Sequence, residues 1–223
     1  MRIAYISELL GTKRQGGENI ATLYLAKQVE ELGHEVRVFS FRNGIMMRFP
    51  ERLALMPYLR QLAVLPITGL DSLTRIERDF DIVHLSSVTT AALHKPRIPS
   101  VITVHAILTR SIMHMRTKLR NQYSPFMNWL SLSLFKSVEQ ASFRQIDQII
   151  TPLSDLRSFL VKTLMIPPAK ISVIPNGVDV DRFSPASEIG EEVLFVGRGT
   201  VPKGFHTLVK ASPMIKGKVT VVT

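Results

Sequence analysis

The sequence has 223 residues, which allows one large domain or one domain and part of another, but not two full-size α/β domains. Hydrophobic residues make up 45% and charged residues 21%, so a disordered chain and a collagen-like repeat are excluded. The absence of cysteine excludes a disulfide framework, a thiolate metal site and a cysteine nucleophile. We expect a cytoplasmic protein, since no run approaches ~18 apolar residues and the N-terminus lacks the apolar stretch of a secretory signal.

Short β-branched apolar runs alternate with longer segments of helical periodicity, which is typical of a parallel sheet with crossover helices. The runs are apolar on both faces, as in a sheet covered by helices on both sides. We predict helices over 19–32, where Gly33 ends the helix, over short proline-bounded pieces of 45–77, and over 125–145. The predicted strands are Ile3–Ser7, Val36–Phe41, Ile82–Leu85, Val101–His105, Ile149–Thr151 and Ile171–Pro175.

A second α/β unit begins near the C-terminus. After a polar, irregular stretch the pattern resumes with a strand (Val193–Val196), a helix (205–211) and a strand (Val219–Val222). Residues 191–223 number 33, about the size of one βαβ unit and too few to bury a sheet. The sequence therefore predicts an N-terminal domain over 1–176, a hinge over 177–192 and the start of a second domain over 193–223.

Charge is distributed unevenly. Twenty-eight Lys and Arg against 18 Asp and Glu give a net charge of +10, enough to attract a polyanion or an anionic lipid surface. No acidic residue lies between Asp81 and Glu139. The basic region 95–120 within this segment is a candidate for peripheral membrane contact, and a solvated basic face is the alternative. The cations of the acid-free segment are Lys95, Arg97, Arg110, Arg116, Lys118, Arg120 and Lys136.

The first candidate site is the loop 11–17, between the first predicted strand and helix. Gly16 and Gly17 at a helix N-terminus let the backbone approach a ligand closely, and the helix dipole favours an anion such as phosphate. A turn that merely requires glycine is the alternative. A dinucleotide site is excluded because the G-x-G-x-x-G spacing is missing and no carboxylate follows the second predicted strand.

Two histidines, His84 and His105, occupy predicted strand ends. Ligands of open α/β sheets collect at the carboxyl ends of strands, so both rings are candidates for binding a sugar hydroxyl or a phosphate. For each, the alternative is a hydrogen-bonded packing residue. We expect no metal site, because no cluster of histidines and carboxylates accompanies either one.

The third candidate lies in the second unit, where Gly197-Arg198 and Lys203-Gly204 enclose a short loop after a strand. Two cations and a helix start can neutralise a diphosphate, with Arg198 as a bidentate donor and Lys203 as a point charge. Two solvated surface charges are the alternative.

Together these motifs resemble glycosyltransferase family 4, the group 1 glycosyltransferases of GT-B fold. The most specific pieces are the run 174–179 (Ile-Pro-Asn-Gly-Val-Asp) and the pair formed by Gly197-Arg198 and Lys203-Gly204, in that order. The other matching pieces are Gly16-Gly17, Asp81-Ile82-Val83-His84, Thr103-Val104-His105, Phe183 and Pro185. The resemblance implies an α/β fold with a Rossmann-like parallel sheet, helices on both its faces, and the beginning of a second Rossmann-like domain.

The resemblance also implies an activity. A retaining glycosyltransferase would move a sugar from a UDP- or GDP-linked donor to an acceptor, in glycan, glycolipid or polysaccharide synthesis, without a metal or other cofactor. Arg198 and Lys203 would hold the departing diphosphate and His105 would contact the transferring sugar, so these three are the expected catalytic residues. The expected binding residues are Gly16, Gly17, His84, Asn176 and Gly197, with Asn176 in the hinge.

The sequence departs from the family pattern in several places. The nucleotide pocket and Glu-x7-Glu motif expected after the first strands of the second domain are missing, so we expect an incomplete chain that is inactive alone. Ser86 and Ala106 stand where relatives often have a histidine and a polar residue. The acceptor is undetermined, and a lipid-linked acceptor at the cytoplasmic membrane face is one alternative.

A second class of function is a non-catalytic basic α/β module that binds polyanions or a membrane surface. We expect no nucleic-acid binding, because aromatic residues make up only 7% of the chain and no nucleic-acid-binding motif is recognisable.

Overall fold

A computed structural model describes residues 1–7, 17–40, 69–86, 88, 91, 95–118, 125–183, 190, 192–200 and 203–223. The chain divides into two compact units, unit 1 (Met1–Asn176) and unit 2 (Gly177–Thr223). Each has its own parallel sheet. The assignment of 177–192 as a hinge stays a prediction.

Unit 1 is built on a parallel sheet of six strands, and all six were predicted. The order is β2-β1-β3-β4-β5-β6, so the direction of winding reverses at β1. The gap between the carboxyl ends of β1 and β3 is therefore the topological switch point, where ligands of such sheets bind. The strands are β1 (Arg2–Ser7), β2 (Glu35–Ser40), β3 (Ile82–Leu85), β4 (Ser100–Thr103), β5 (Gln148–Thr151) and β6 (Ile171–Val173).

The described helices of unit 1 are α1 (Gly17–Glu31), α2 (Gly69–Asp79), α3 (Leu108–Lys118), α4 (Pro125–Gln145) and α5 (Ser154–Lys162). Gly33 ends α1 as predicted: its φ is +87° and its N–H donates to the Glu30 carbonyl at 2.9 Å. The predicted helices of 45–77 lie outside the described residues except for the part that α2 covers. In the described part of the chain, no helix combines the length and apolar character needed to cross a membrane.

Two helices show directly that both faces of the sheet are covered. Tyr5 of β1 packs with Ala26 of α1 on one face. Its neighbour Ala4 packs on the other face with Ile76 of α2 and with Phe80, which directly follows that helix, since successive strand residues point to opposite faces. The largest core cluster includes Ile6, Val83, Leu85, Ile102, Val104, Phe143, Ile146, Ile149, Leu156 and Leu160.

Polar contacts fix the amino-terminal edge of this sheet. The Asp81 carboxylate accepts hydrogen bonds from the backbone N–H of Arg2 at 2.7 Å and from its guanidinium at 3.1 Å. Asp147 accepts from the backbone N–H and the hydroxyl of Ser100 at 2.9 and 2.8 Å. Asp81 thus fixes the first residue of the run 81–84 at the amino-terminal edge of the sheet, whereas His84, the last residue of the run, lies towards the carboxyl edge.

Unit 2 contains the second predicted pattern: β7 (Val193–Val196) and β8 (Val219–Val222) pair in parallel, and α6 (Phe205–Ala211) connects them. Leu194 and Val196 remain 61% and 70% exposed. Two strands and one short helix present too little surface to cover a sheet.

Candidate functional site

The carboxyl edge of the unit 1 sheet carries a row of polar side chains on the α1 face. Tyr5 lies opposite His84 in register, and His84 lies opposite Val101. Thr103 is two residues beyond Val101 and therefore points to the same face. The strand period thus brings Tyr5, His84 and Thr103 together beside the switch point.

His84 is enclosed by this row. Only 7% of the residue is exposed, its Nε2 lies 2.7 Å from the Thr103 Oγ1, and its ring stacks on Tyr5 with 4.5 Å between centroids. Burial lowers the pKa of His84 to about 4, with repulsion from charged His105 as the second cause. The ring is therefore neutral at pH 7, and its environment matches the packing alternative that the sequence also allowed.

His105 lies two residues past the end of β4, since the strand is shorter than predicted. It is partly buried, and burial lowers its pKa below the usual 6.5. A neutral imidazole offers one N–H donor and one acceptor nitrogen. Of the two predicted histidines, His105 is the one whose exposure leaves room for contact with a sugar hydroxyl.

A buried carboxylate holds the start of α3, just beyond His105. Glu139 of α4 accepts hydrogen bonds from the backbone N–H groups of Leu108 and Thr109 at 2.6 and 3.0 Å. Burial raises the pKa of Glu139. The first N–H groups of this helix are therefore satisfied by the protein itself.

The basic region is partly neutralised. Arg110 on α3 forms an ion pair with Asp155 on α5, although Asp155 lies well outside the acid-free segment. The structure therefore removes one cation from the surface charge that the sequence indicated.

The glycine loop is only partly described. Gly16 lies outside the described residues, whereas Gly17 is the first residue of α1 and is exposed. An added Cβ at Gly17 would meet no described atom within 4 Å, so packing does not require glycine there. Asn176 is exposed at the end of unit 1.

In unit 2, two glycines shape the loop that carries the predicted cations. Gly197 has φ +153° and donates its N–H to the Val222 carbonyl at 2.9 Å, and Gly204 has φ +77° immediately before α6. Such angles favour glycine. Arg198 and Lys203 are both exposed on this loop, and turn hydrogen bonds through Thr200 connect their backbones at 2.7 and 3.1 Å.

Sequence reasoning missed three residues of the unit 1 site. Tyr5 supplies a stacking surface, Thr103 supplies a hydroxyl, and Glu139 holds a helix start. The strand period connects Tyr5 and Thr103 with His84, but the contact of Glu139 joins residues about thirty positions apart. Among the described residues, no group of three His, Asp or Glu side chains is placed to hold a metal ion.

Comparison with known proteins reveals related glycosyltransferases. One relative is the MMP alpha-(1->4)-mannosyltransferase of Mycolicibacterium hassiacum, 26% identical over 254 aligned positions that cover 95% of this chain and 60% of the relative. Another is the UDP-Gal:alpha-D-GlcNAc-diphosphoundecaprenol alpha-1,3-galactosyltransferase of Escherichia coli, 30% identical over 50% of this chain and 27% of the relative. The chain thus spans less than two thirds of either protein.

Solved structures of other proteins have a similar fold. The crystal structure of HepE from Anabaena, in complex with UDP, superposes with a TM-score of 0.58 at 14% identity, covering 99% of this chain and 60% of that one. This likeness confirms the predicted GT-B type α/β architecture. The sequence model described as Glycosyltransferase Family 4 matches residues 15–182, about three quarters of the chain. The chain therefore belongs to glycosyltransferase family 4.

Proposed function

We propose that the protein is a retaining glycosyltransferase that moves a sugar from a nucleotide-sugar to an acceptor without a metal ion. The family match over residues 15–182 carries the proposal. A UDP-linked donor is supported by the UDP in HepE and by the UDP-Gal in the name of the Escherichia coli relative. The alpha linkages in both relatives' names agree with retention, because an α-linked donor then gives an α-linked product.

The donor diphosphate is assigned to Arg198 and Lys203. In the reaction, the sugar C1 exchanges its bond to the diphosphate oxygen for a bond to the acceptor oxygen, and the proton of the acceptor hydroxyl passes to the released diphosphate or to solvent. Negative charge accumulates on the leaving diphosphate. A guanidinium and an ammonium on one short loop are suited to stabilise that charge.

The sugar is assigned to unit 1. His105, partly buried beyond β4, donates to or accepts from a hydroxyl of the transferring sugar. Gly16 and Gly17 close over the phosphates or the sugar. Asn176 contributes to a hinge whose closure excludes water from the reaction.

The direct test measures nucleoside diphosphate release by the full-length protein from UDP-glucose, UDP-galactose, UDP-N-acetylglucosamine and GDP-mannose, with and without EDTA. We expect release from at least one donor and equal rates in EDTA. Loss of activity in EDTA would contradict the metal-free mechanism. Salt-sensitive oligonucleotide binding without release from any donor would favour the alternative of a non-catalytic basic module.

Peripheral membrane contact and a lipid-linked acceptor form the second part of the proposal. α3 and α4 pack together, and the N-terminal half of α4 exposes Trp129 (58%), Leu130 and Leu134. These apolar residues and the basic region both lie in the acid-free segment between Asp81 and Glu139, so an anionic lipid surface complements both. The name of the Escherichia coli relative includes a diphosphoundecaprenol acceptor.

Vesicle flotation tests this contact. We expect the full chain to float with vesicles of phosphatidylglycerol and phosphatidylcholine, but not with phosphatidylcholine alone, and less in high salt. The double variant Trp129→Ser/Leu134→Ser is expected to lose most of the binding. Leu32→Ser is the matched control, because Leu32 is 76% exposed on unit 1 but lies outside the acid-free segment. Equal flotation of both variants would contradict the assignment of α4.

A further inference from the structure

We infer that His84 is a positioning residue that acts through Thr103 on His105. The inference rests on the proposed contact between His105 and the transferring sugar. It assigns His84 no contact with substrate, since the residue is only 7% exposed.

The His84 ring is fixed on two sides. One face stacks on Tyr5, whose side chain packs in turn with Ala26 of α1. Its Nε2 reaches the Thr103 Oγ1 at 2.7 Å. Because His84 is buried and Thr103 is half-buried, the protein shields this hydrogen bond in part from competing water.

Thr103 is close enough in the chain to His105 to affect the position of its side chain. It is the last residue of β4, and His105 follows two positions later. Between them, Val104 is buried in the main core cluster and donates its N–H to the Ile150 carbonyl at 2.8 Å. The chain is thus held on one face of the sheet by Thr103 and on the other by Val104 before His105 leaves the strand.

The far end of the segment is fixed too. Ile107 is buried, and Glu139 holds the N–H groups of Leu108 and Thr109. His105 therefore projects from a short segment with both ends anchored, and the bond between His84 and Thr103 is the polar anchor on the side of the strand.

The test compares His84→Phe, Thr103→Val and the double variant in the full-length enzyme. His84→Phe keeps an aromatic ring against Tyr5 but cannot form the hydrogen bond. We expect each single change to lower kcat about fivefold to tenfold, the value of one buried hydrogen bond, with little change in the donor KM. The double variant should equal either single variant, since both remove the same bond. Thr103→Ser restores the hydroxyl and should restore kcat.

Two further variants separate positioning from general stability. Ile102→Val alters β4 on the opposite face, in the main core cluster, so it should lower the unfolding midpoint without lowering kcat. In a His105→Ala background, His84→Phe should have no further effect on kcat. Thr103→Val replaces a hydroxyl with a methyl group of similar size and carries the test if His84→Phe does not fold.

The outcomes are distinct. Unchanged turnover in His105→Ala would remove the sugar contact and this inference together. Reduced turnover in His105→Ala, with unchanged kcat in Thr103→Val or with effects that multiply in the double variants, would overturn the inference and leave the proposed function intact.

Discussion

The two units present their candidate site residues in opposite ways. In unit 1, His84 is buried beside the core and is hydrogen-bonded to the half-buried Thr103. In unit 2, Arg198 and Lys203 are exposed on a glycine-shaped loop, next to a two-stranded sheet whose Leu194 and Val196 are largely exposed. In the proposed function, unit 1 would therefore contribute through packing and position, whereas unit 2 would contribute through charge. Changes in the two units should accordingly show up in different measurements.

The largest expected effect concerns the core of unit 1. Phe143→Ala removes a fully buried ring from the main cluster and should cost about 3–5 kcal/mol of unfolding free energy. The matched change in unit 2, Leu194→Ala at a 61% exposed position, should cost less than about 1 kcal/mol. Urea unfolding followed by pulsed hydrogen exchange and mass spectrometry measures the unfolding of each unit separately, and the fluorescence of Trp129 gives a second readout for unit 1. A large shift with Leu194→Ala would contradict the contrast between the units.

The next effect concerns the charge of unit 2. Arg198→Ala and Lys203→Ala should each lower kcat roughly 10²–10³-fold, because each removes a cation that is proposed to stabilise the departing diphosphate. Steady-state release of nucleoside diphosphate by the full-length protein measures this. Lys210→Ala, at the end of α6, is the control and should be near normal. Near-normal rates in both loop variants would remove the diphosphate assignment.

A smaller effect is the pH dependence of stability that arises from the buried ring of His84 in unit 1. The pKa of His84 is about 4 in the folded chain against a usual 6.5, so between these values the unfolded chain binds more protons. Stability should therefore fall as the pH drops from 6.5 towards 4, by about 2 kcal/mol from this residue at pH 5.

The control for this pH effect is His84→Phe. Urea unfolding at pH 7 and pH 5 should show a smaller pH dependence in the variant than in the unchanged protein. The raised pKa of Glu139 acts in the opposite direction but is common to both proteins. Identical pH dependence would mean that His84 is accessible to protons in the folded chain.

The smallest effect concerns the surface pair of Arg110 and Asp155. Asp155→Asn should cost about 0.2–1 kcal/mol of stability, the usual range for an exposed ion pair. It should also strengthen flotation with anionic vesicles, because Arg110 loses its counter-charge. Glu35→Gln, which breaks an exposed ion pair with Arg37 outside the acid-free segment, is the control and should leave flotation nearly unchanged. Unaltered flotation by Asp155→Asn would exclude Arg110 from the lipid contact.

The sequence predicted the strands better than the helices. Each strand of unit 1 is a short β-branched run, and all six were confirmed. α5 was missed because only Leu156 and Leu160 among its nine residues are buried, which gives a weak apolar pattern. α3 lies in the basic region, for which no helix was predicted, and its start depends on Glu139 in another helix.

The candidate site could also be predicted in part, because the strand pattern places some of its residues. The position of His84 near a carboxyl end follows from the strand pattern alone. Its enclosure does not, because that depends on Tyr5 and Thr103, which reach it from neighbouring strands. The roles of His105, Arg198 and Lys203 stay predictions.

The hydrogen bonds between Glu139 and the start of α3 affect which part of a substrate can bind near this helix. A diphosphate that approached this helix would find the N–H groups of Leu108 and Thr109 already bonded to the carboxylate of Glu139. We therefore expect the region around His105 to accept the uncharged, hydroxyl-bearing part of a substrate and to discourage its phosphates.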